Sequence, residues 1–134
     1  MMEQARTPRP MSREETPVTT PPLTANTQSE LTAELDDWGP RAGADSGEPR
    51  MSGRIFFEGN GIQVGVWECT PGGWAIDNRP DHETVQILAG RARLTDGDGS
   101  SVELAAGDVL TLPKGWSGRW DILETVRKLY VIAE

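Results

Sequence analysis

Residues 106–120, AGDVLTLPKGWSGRW, read as turn, strand, turn and strand in quick succession. Gly107-Asp108 is turn chemistry, because glycine tolerates a positive φ and an aspartate side chain can hydrogen-bond nearby backbone. Val109, Leu110 and Leu112 form a short apolar run between turn signals, which predicts a strand buried on both faces. In Pro113-Lys114-Gly115, proline fixes one φ and glycine frees another, so the chain can reverse and return as a new strand. That is a corner of the kind a small barrel needs.

Outward from this stretch the same grammar repeats. From Gly53 on, short apolar segments alternate with turn residues, which predicts strands at 53–58, 62–69, 83–89, 91–96, 101–104, 108–112, 117–123 and 126–133. Strands of this number and length suit a small closed all-β barrel whose side chains alternate between interior and exterior. Thr95-Asp96-Gly97-Asp98-Gly99-Ser100 supplies the tightest hairpin. It is also similar to part of a calcium loop, but the glutamate that such a loop needs at its twelfth position would fall on Gly107, so a plain turn is expected.

The first third is different in kind. Seven of the ten prolines lie in residues 1–49, among threonine, serine and charged residues, and so few large apolar side chains cannot offset the entropy of ordering. Residues 1–28 are expected to form a flexible tail. Leu31 and Leu35 lie one helical turn apart behind a Ser29 cap, with Trp38 following and Gly39-Pro40 as a stop, which predicts a short amphipathic arm over 30–38. The arm should dock on the domain or on a second subunit. Residues 39–52 read as a linker, completing an arm-and-linker region over 29–52 ahead of a domain over 53–134.

The formal charge of −8 is shared by both halves of the chain and disfavours a phosphate backbone, so nucleic acid is not an expected partner. The single cysteine, Cys69, rules out an intrachain disulfide and fits a reducing compartment. No apolar run approaches a membrane span or a secretory signal, so a cytoplasmic location without a membrane partner is expected, with Met11 as an alternative start.

The spacing of Gly107, Pro113 and Gly115 resembles the second motif of the cupin superfamily. GVWECTPGGW (65–74), HETVQILAGRARLTDGDG (82–99) and GDVLTLPKGWSGRWDILETVRKLYVI (107–132) resemble, more narrowly, the (S)-ureidoglycine aminohydrolase-type cupins. The resemblance implies a cupin-type double-stranded β-helix, or jelly-roll barrel, with its ligand site inside, a homodimer joined by strand or arm exchange, and in the aminohydrolases a manganese centre. Glu83 and Gly90 match the glutamate and glycine of the first cupin motif. The histidine positions fall in Asp77-Asn78-Arg79-Pro80, and the histidine of the second motif falls on Gly118, so none of these metal ligands is present.

Transition metals want three or four converging nitrogen, sulfur or carboxylate donors. The only histidine, His82, precedes Glu83, and adjacent strand residues face opposite ways, so His82 should point out where Glu83 points in. No cofactor is therefore expected, with a weak divalent site from Asp77, Glu83 and Cys69 as the alternative. Glu83 heads a strand face completed by Val85 and Ile87, which places a carboxylate in an apolar interior as a candidate acid/base. Lys128 and Arg119 are the candidate cations to offset it, and Tyr130, on the same face as Lys128, is a candidate hydrogen-bond donor. Trp67, Trp74 and Trp120 could wall a pocket for a small planar polar molecule, or be core and dimer contact. Trp116, at the corner, suits a rim. Cys69 reads as a buried structural thiol, and a buried Glu83-Lys128 pair could equally serve only to close the interior.

Three functions remain open on this reading. The chain binds a small polar metabolite in a metal-free barrel through Glu83, Lys128, Tyr130, Arg119 and the tryptophans; or it is a metal-dependent enzyme acting on a ureido or amino compound; or it is a non-catalytic structural or regulatory dimer. The polar set favours the first.

Overall fold

The computed structural model describes residues 22–134. One short helix, α1 (Thr27–Glu30), precedes nine strands: β1 (Asp36–Pro40), β2 (Ala44–Gly47), β3 (Arg50–Gly59), β4 (Ile62–Cys69), β5 (Gly72–Ile76), β6 (His82–Asp96), β7 (Ser101–Ala105), β8 (Val109–Leu112) and β9 (Gly118–Ala133). All pairings are antiparallel. The last strand organises them: its second half pairs with β4, its first half with β5, and its opposite edge with β6 along most of its length. β3 and β1 extend the sheet beyond β4, β2 lies beside β5, and β7 and β8 share the outer edge of β6.

The two long strands join segments that the sequence reading kept apart. Residues 83–89 and 91–96 form one strand, bent rather than broken by bulges around Ala89 to Ala92. Gly90 makes this possible: its φ is +87°, and a Cβ there would sit 2.0 Å from the Thr125 carbonyl oxygen. Bulges let a strand turn a barrel corner without losing its partner. Residues 117–123 and 126–133 likewise merge into β9.

The N-terminal region departs further from expectation. The helix ends at Glu30, its cap is Asn26 rather than Ser29, and residues 36–40 pair with β3 instead of continuing a helix. The Asn26 side chain accepts from the Gln28 and Ser29 amides at 2.8 and 3.3 Å. What fixes the arm is tertiary: Glu30 is bound by Arg54, and Arg127 donates to the carbonyls of Glu30 and Ala33. The Trp38 ring then lies on Gly53, where a Cβ would come within 2.3 Å of it. The arm thus docks on its own domain, and residues 39–52 supply the end of β1, all of β2 and the start of β3 rather than a linker. The tail expected over 1–28 lies, up to residue 21, outside the described residues.

Val66, Cys69, Ile87, Ala92, Leu112, Val126 and their neighbours make the core. The strand at 109–112 is a correction. β8 pairs only with β6, so it is an edge strand with one face to solvent: Leu112 is buried, but Val109 is 66% exposed. The flanking turns form as expected. Gly107 has φ +95° and donates to the Ile87 carbonyl at 2.8 Å, and Gly115 has φ +88°. The 96–100 turn closes through Asp96 and Ser100. Among the described residues no helix is long and apolar enough to cross a membrane.

Candidate functional site

The inner faces of β4, β5, β6 and β9, with Trp38 of β1 and Arg41 just after it, line a cavity of about 220 Å³. Its polar centre is Glu83, 4% exposed at the head of β6. Glu83 Oε2 accepts from Lys128 Nζ at 2.9 Å, and Oε1 lies 3.2 Å from Arg79 Nη1. Arg79 is held from its other side by Asp81 at 2.7 Å. The Lys128 ammonium also faces two indoles, 4.4 Å from the Trp67 ring centre and 5.2 Å from that of Trp120. Such contacts between a cation and a ring face strengthen when water is excluded. Trp67 in turn meets Trp74 edge to face, at 6.2 Å and 73°.

Alternation explains the inward set. Glu83, Val85 and Ile87 of β6 are in register with Ile132, Tyr130 and Lys128 of β9, so all six share the inner face. Arg79 lies on no strand and is positioned by the corner quoted at the outset. Its amide donates to the Trp116 carbonyl at 3.0 Å and its carbonyl accepts from the Gly115 amide at 2.8 Å. The Lys114 amide donates to Nδ1 of the outward-facing His82 at 3.0 Å. The Pro113–Gly115 turn therefore fixes both the approach to β6 and the guanidinium beside Glu83.

Glu83, Lys128, Tyr130, Trp67, Trp74 and Trp120 all line this one cavity. Arg119 does not. Its neighbour Trp120 takes the inward position, and Arg119 pairs with Asp45 at 2.7 Å and Asp121 at 3.0 Å, which raise its pKa further. The cation expected of Arg119 is supplied by Arg79. The Tyr130 hydroxyl donates to Gln63 Oε1 at 2.8 Å rather than to Glu83. Burial, then the Glu83 and Glu58 carboxylates, push the phenol up to about 12. Cys69 is fully buried, and burial pushes its thiol up to about 11, the state of an unreactive thiol. Trp116 sits outside the cavity, its indole N–H donating to Asp96 at 3.1 Å.

Trp38, Arg41 and Arg79 are lining residues that sequence reasoning missed. For Arg79 a signal existed, since it occupies the stretch where metal-binding cupins carry histidines. Trp38 and Arg41 reach the cavity only through the pairing of β1 with β3, which no local pattern announces.

A metal centre of the kind the resemblance implies does not fit these residues. Among the described residues no three His, Cys, Asp or Glu side chains converge, so Asp77, Glu83 and Cys69 do not form a set. The Glu83 carboxylate already lies between a guanidinium and an ammonium, and a divalent ion beside it would meet two like charges.

A curled antiparallel barrel with its polar cluster on the inner wall is the architecture of a cupin. The chain belongs to the EutQ-like cupin domain family, whose model matches residues 58–130. It is similar to a structure from Pseudomonas syringae pv. tomato, a protein of unknown function of the DUF861 family, at 27% identity and a TM-score of 0.70 over 75% of this chain. The chain spans only 45% of that protein. A putative ethanolamine utilization protein Q from Salmonella typhimurium LT2 is 23% identical, with a TM-score of 0.59 over 71% of this chain and 76% of its own. Clostridium difficile EutQ is 17% identical, with a TM-score of 0.57 over 63% and 68%. These two likenesses show the jelly-roll fold. No curated protein matches the chain.

Proposed function

We propose that this cupin domain binds a small polar metabolite inside its barrel without the histidine metal site of metal-binding cupins. The observation that carries the reading is the buried Glu83-Lys128 pair, with the part-buried Arg79 beside it, on the wall of an aromatic cavity. Buried ion pairs contribute little stability beyond what apolar residues of the same volume would give, so a barrel that was only a packed core would gain nothing from this one. The volume, about 220 Å³, lies below the range of drug-sized sites and suits a compact ligand. Lys128, Tyr130 and the indoles of Trp67, Trp74 and Trp120 bind it, and Glu83 is the group positioned to exchange a proton with it. The finer resemblance to ureidoglycine aminohydrolase-type cupins then reflects a shared scaffold and the shared glutamate, without the manganese ligands.

The same reading places the protein in the cytoplasm as a homodimer. The outer face supports the dimer: Phe57, Ile62 and Val131, all exposed, surround Val64 on adjacent strands. Val131→Glu should shift the protein to monomer on a sizing column, and an unchanged elution volume would remove this face from the interface.

Elemental analysis of protein purified without chelator, together with native mass spectrometry, tests the main reading. The expected result is no stoichiometric metal and a cavity that retains or accepts a small molecule. About one equivalent of manganese, iron, zinc or nickel per chain would overturn it in favour of an enzyme. Glu83→Gln should weaken ligand binding and leave the domain folded; if it unfolds the domain, the cluster is structural.

A further inference from the structure

Arg41 stands apart from the other arginines among the described residues. Every other arginine among the described residues has a carboxylate within ion-pair distance: Arg50 with Asp37, Arg54 with Glu30, Arg79 with Asp81, Arg91 and Arg93 with Glu103, Arg119 with Asp45, and Arg127 with Glu68. Arg41 has none among the described residues, in a chain where acids outnumber bases 21 to 13. Among the described residues its side chain donates only to the neighbouring Ala42 carbonyl, and its guanidinium lies over the Trp74 ring, 4.9 Å from the centre. Partial burial lowers its pKa, as expected for a cation partly withdrawn from water.

The rest of the cavity cannot serve Arg41. Glu83 is shared by Arg79 and Lys128, and Asp81 is taken by Arg79, so these two carboxylates and two cations balance. Among the described residues Arg41 is then a positive charge on the lining without a carboxylate partner, its guanidinium over an indole, and the N–H groups that the Ala42 carbonyl does not take can meet a planar anion. The backbone holds it there, the Arg41 amide donating to the Pro49 carbonyl at 2.9 Å.

Resting on the reading of the barrel as a metabolite site, we infer that the ligand is a small monoanionic carboxylate, its carboxylate held by Arg41 and its body lying among Trp67, Trp74 and Trp120. A guanidinium matches a carboxylate with two parallel hydrogen bonds, whereas a dianion would overcompensate the single free charge. The β1–β2 turn thereby becomes part of the binding site, and the apolar walls of Ile76 and Ile132 select against a highly polar body.

The test uses matched pairs of probes on the full chain: acetate with acetamide and benzoate with benzamide, titrated against the fluorescence of the cavity tryptophans at low salt. The acids should bind at least about tenfold more tightly than their amides, the scale of a charge-assisted hydrogen bond. Arg41→Met should abolish that preference, with the circular dichroism spectrum and Tm of the variant reporting that the domain stays folded; Arg41→Lys should restore part of it. Equal binding of acid and amide, or a preference that survives Arg41→Met, would overturn the assignment of charge and leave the cavity reading standing. If no probe of either kind binds, the cavity reading itself falls, and this inference with it.

Discussion

Replacing Lys128 by methionine keeps the length and apolar stem of the side chain and removes its charge, leaving Glu83 buried without its closest partner at 2.9 Å. Removing one member of a buried pair costs about 3–5 kcal/mol, because the remaining charge is uncompensated. Arg79 still stands 3.2 Å from the other carboxylate oxygen, so the lower end, about 3 kcal/mol, is expected here. For a domain of this size that is a fall in Tm of about 10 °C. The double variant Glu83→Leu/Lys128→Met removes both charges and leaves Arg79 its bond to Asp81. It should recover most of the loss and lie within about 1–2 kcal/mol of the parent. Urea unfolding followed by far-ultraviolet circular dichroism measures all three proteins. A loss below about 1 kcal/mol for Lys128→Met would mean that water reaches the pair. A double variant as unstable as the single one would refute the argument from uncompensated charge.

Gly90→Ala should be among the most damaging single-methyl additions in the chain, since it meets both a positive φ and the Thr125 carbonyl; we expect a loss of about 2 kcal/mol or more, and calorimetry showing a parent-like Tm would contradict the role of the bulge. Stability should fall as pH rises above about 9, where the Cys69 thiol ionises once unfolded but stays neutral in the fold up to about 11. Tyr130 adds to this loss as pH passes from about 10 towards 12. In both groups the folded state holds the proton more tightly, so the contribution is complete at neutral pH and lost on the alkaline side. Cys69→Ala should flatten the first part of that slope in denaturant titrations, and an unchanged slope would show that the thiol titrates alike in both states.

The sequence made the inward-facing chemistry legible because strand alternation is a local rule. Glu83, Lys128 and Tyr130 lie on one inner face for the reason their spacing gives, and His82 faces out for the same reason. Arg119 failed on that same rule, since Trp120 beside it claims the interior. What stayed hidden depends on distant pairing. The segment around Leu31, Leu35 and Trp38 has helical spacing, but the sheet edge of β3 and the flat seat at Gly53 outweigh a few residues of weak helix propensity. Val109 looked buried because its neighbours are apolar, and only the topology shows that β8 has one partner. Arg41 lay in what read as a linker, and nothing near it in sequence points to the cavity.

The pairing of β9 on both edges also sets the order of events when the chain is made. Until that strand leaves the ribosome, β4, β5 and β6 each lack the neighbour that completes them. Their hydrogen-bonding edges must wait exposed during synthesis, and a fold built on such distant pairings closes slowly once the strand arrives. Nascent chains stalled before Gly118 should therefore be digested by protease as unfolded polypeptide, and protection should appear only when the stall point lies far enough downstream for the whole of β9 to have emerged.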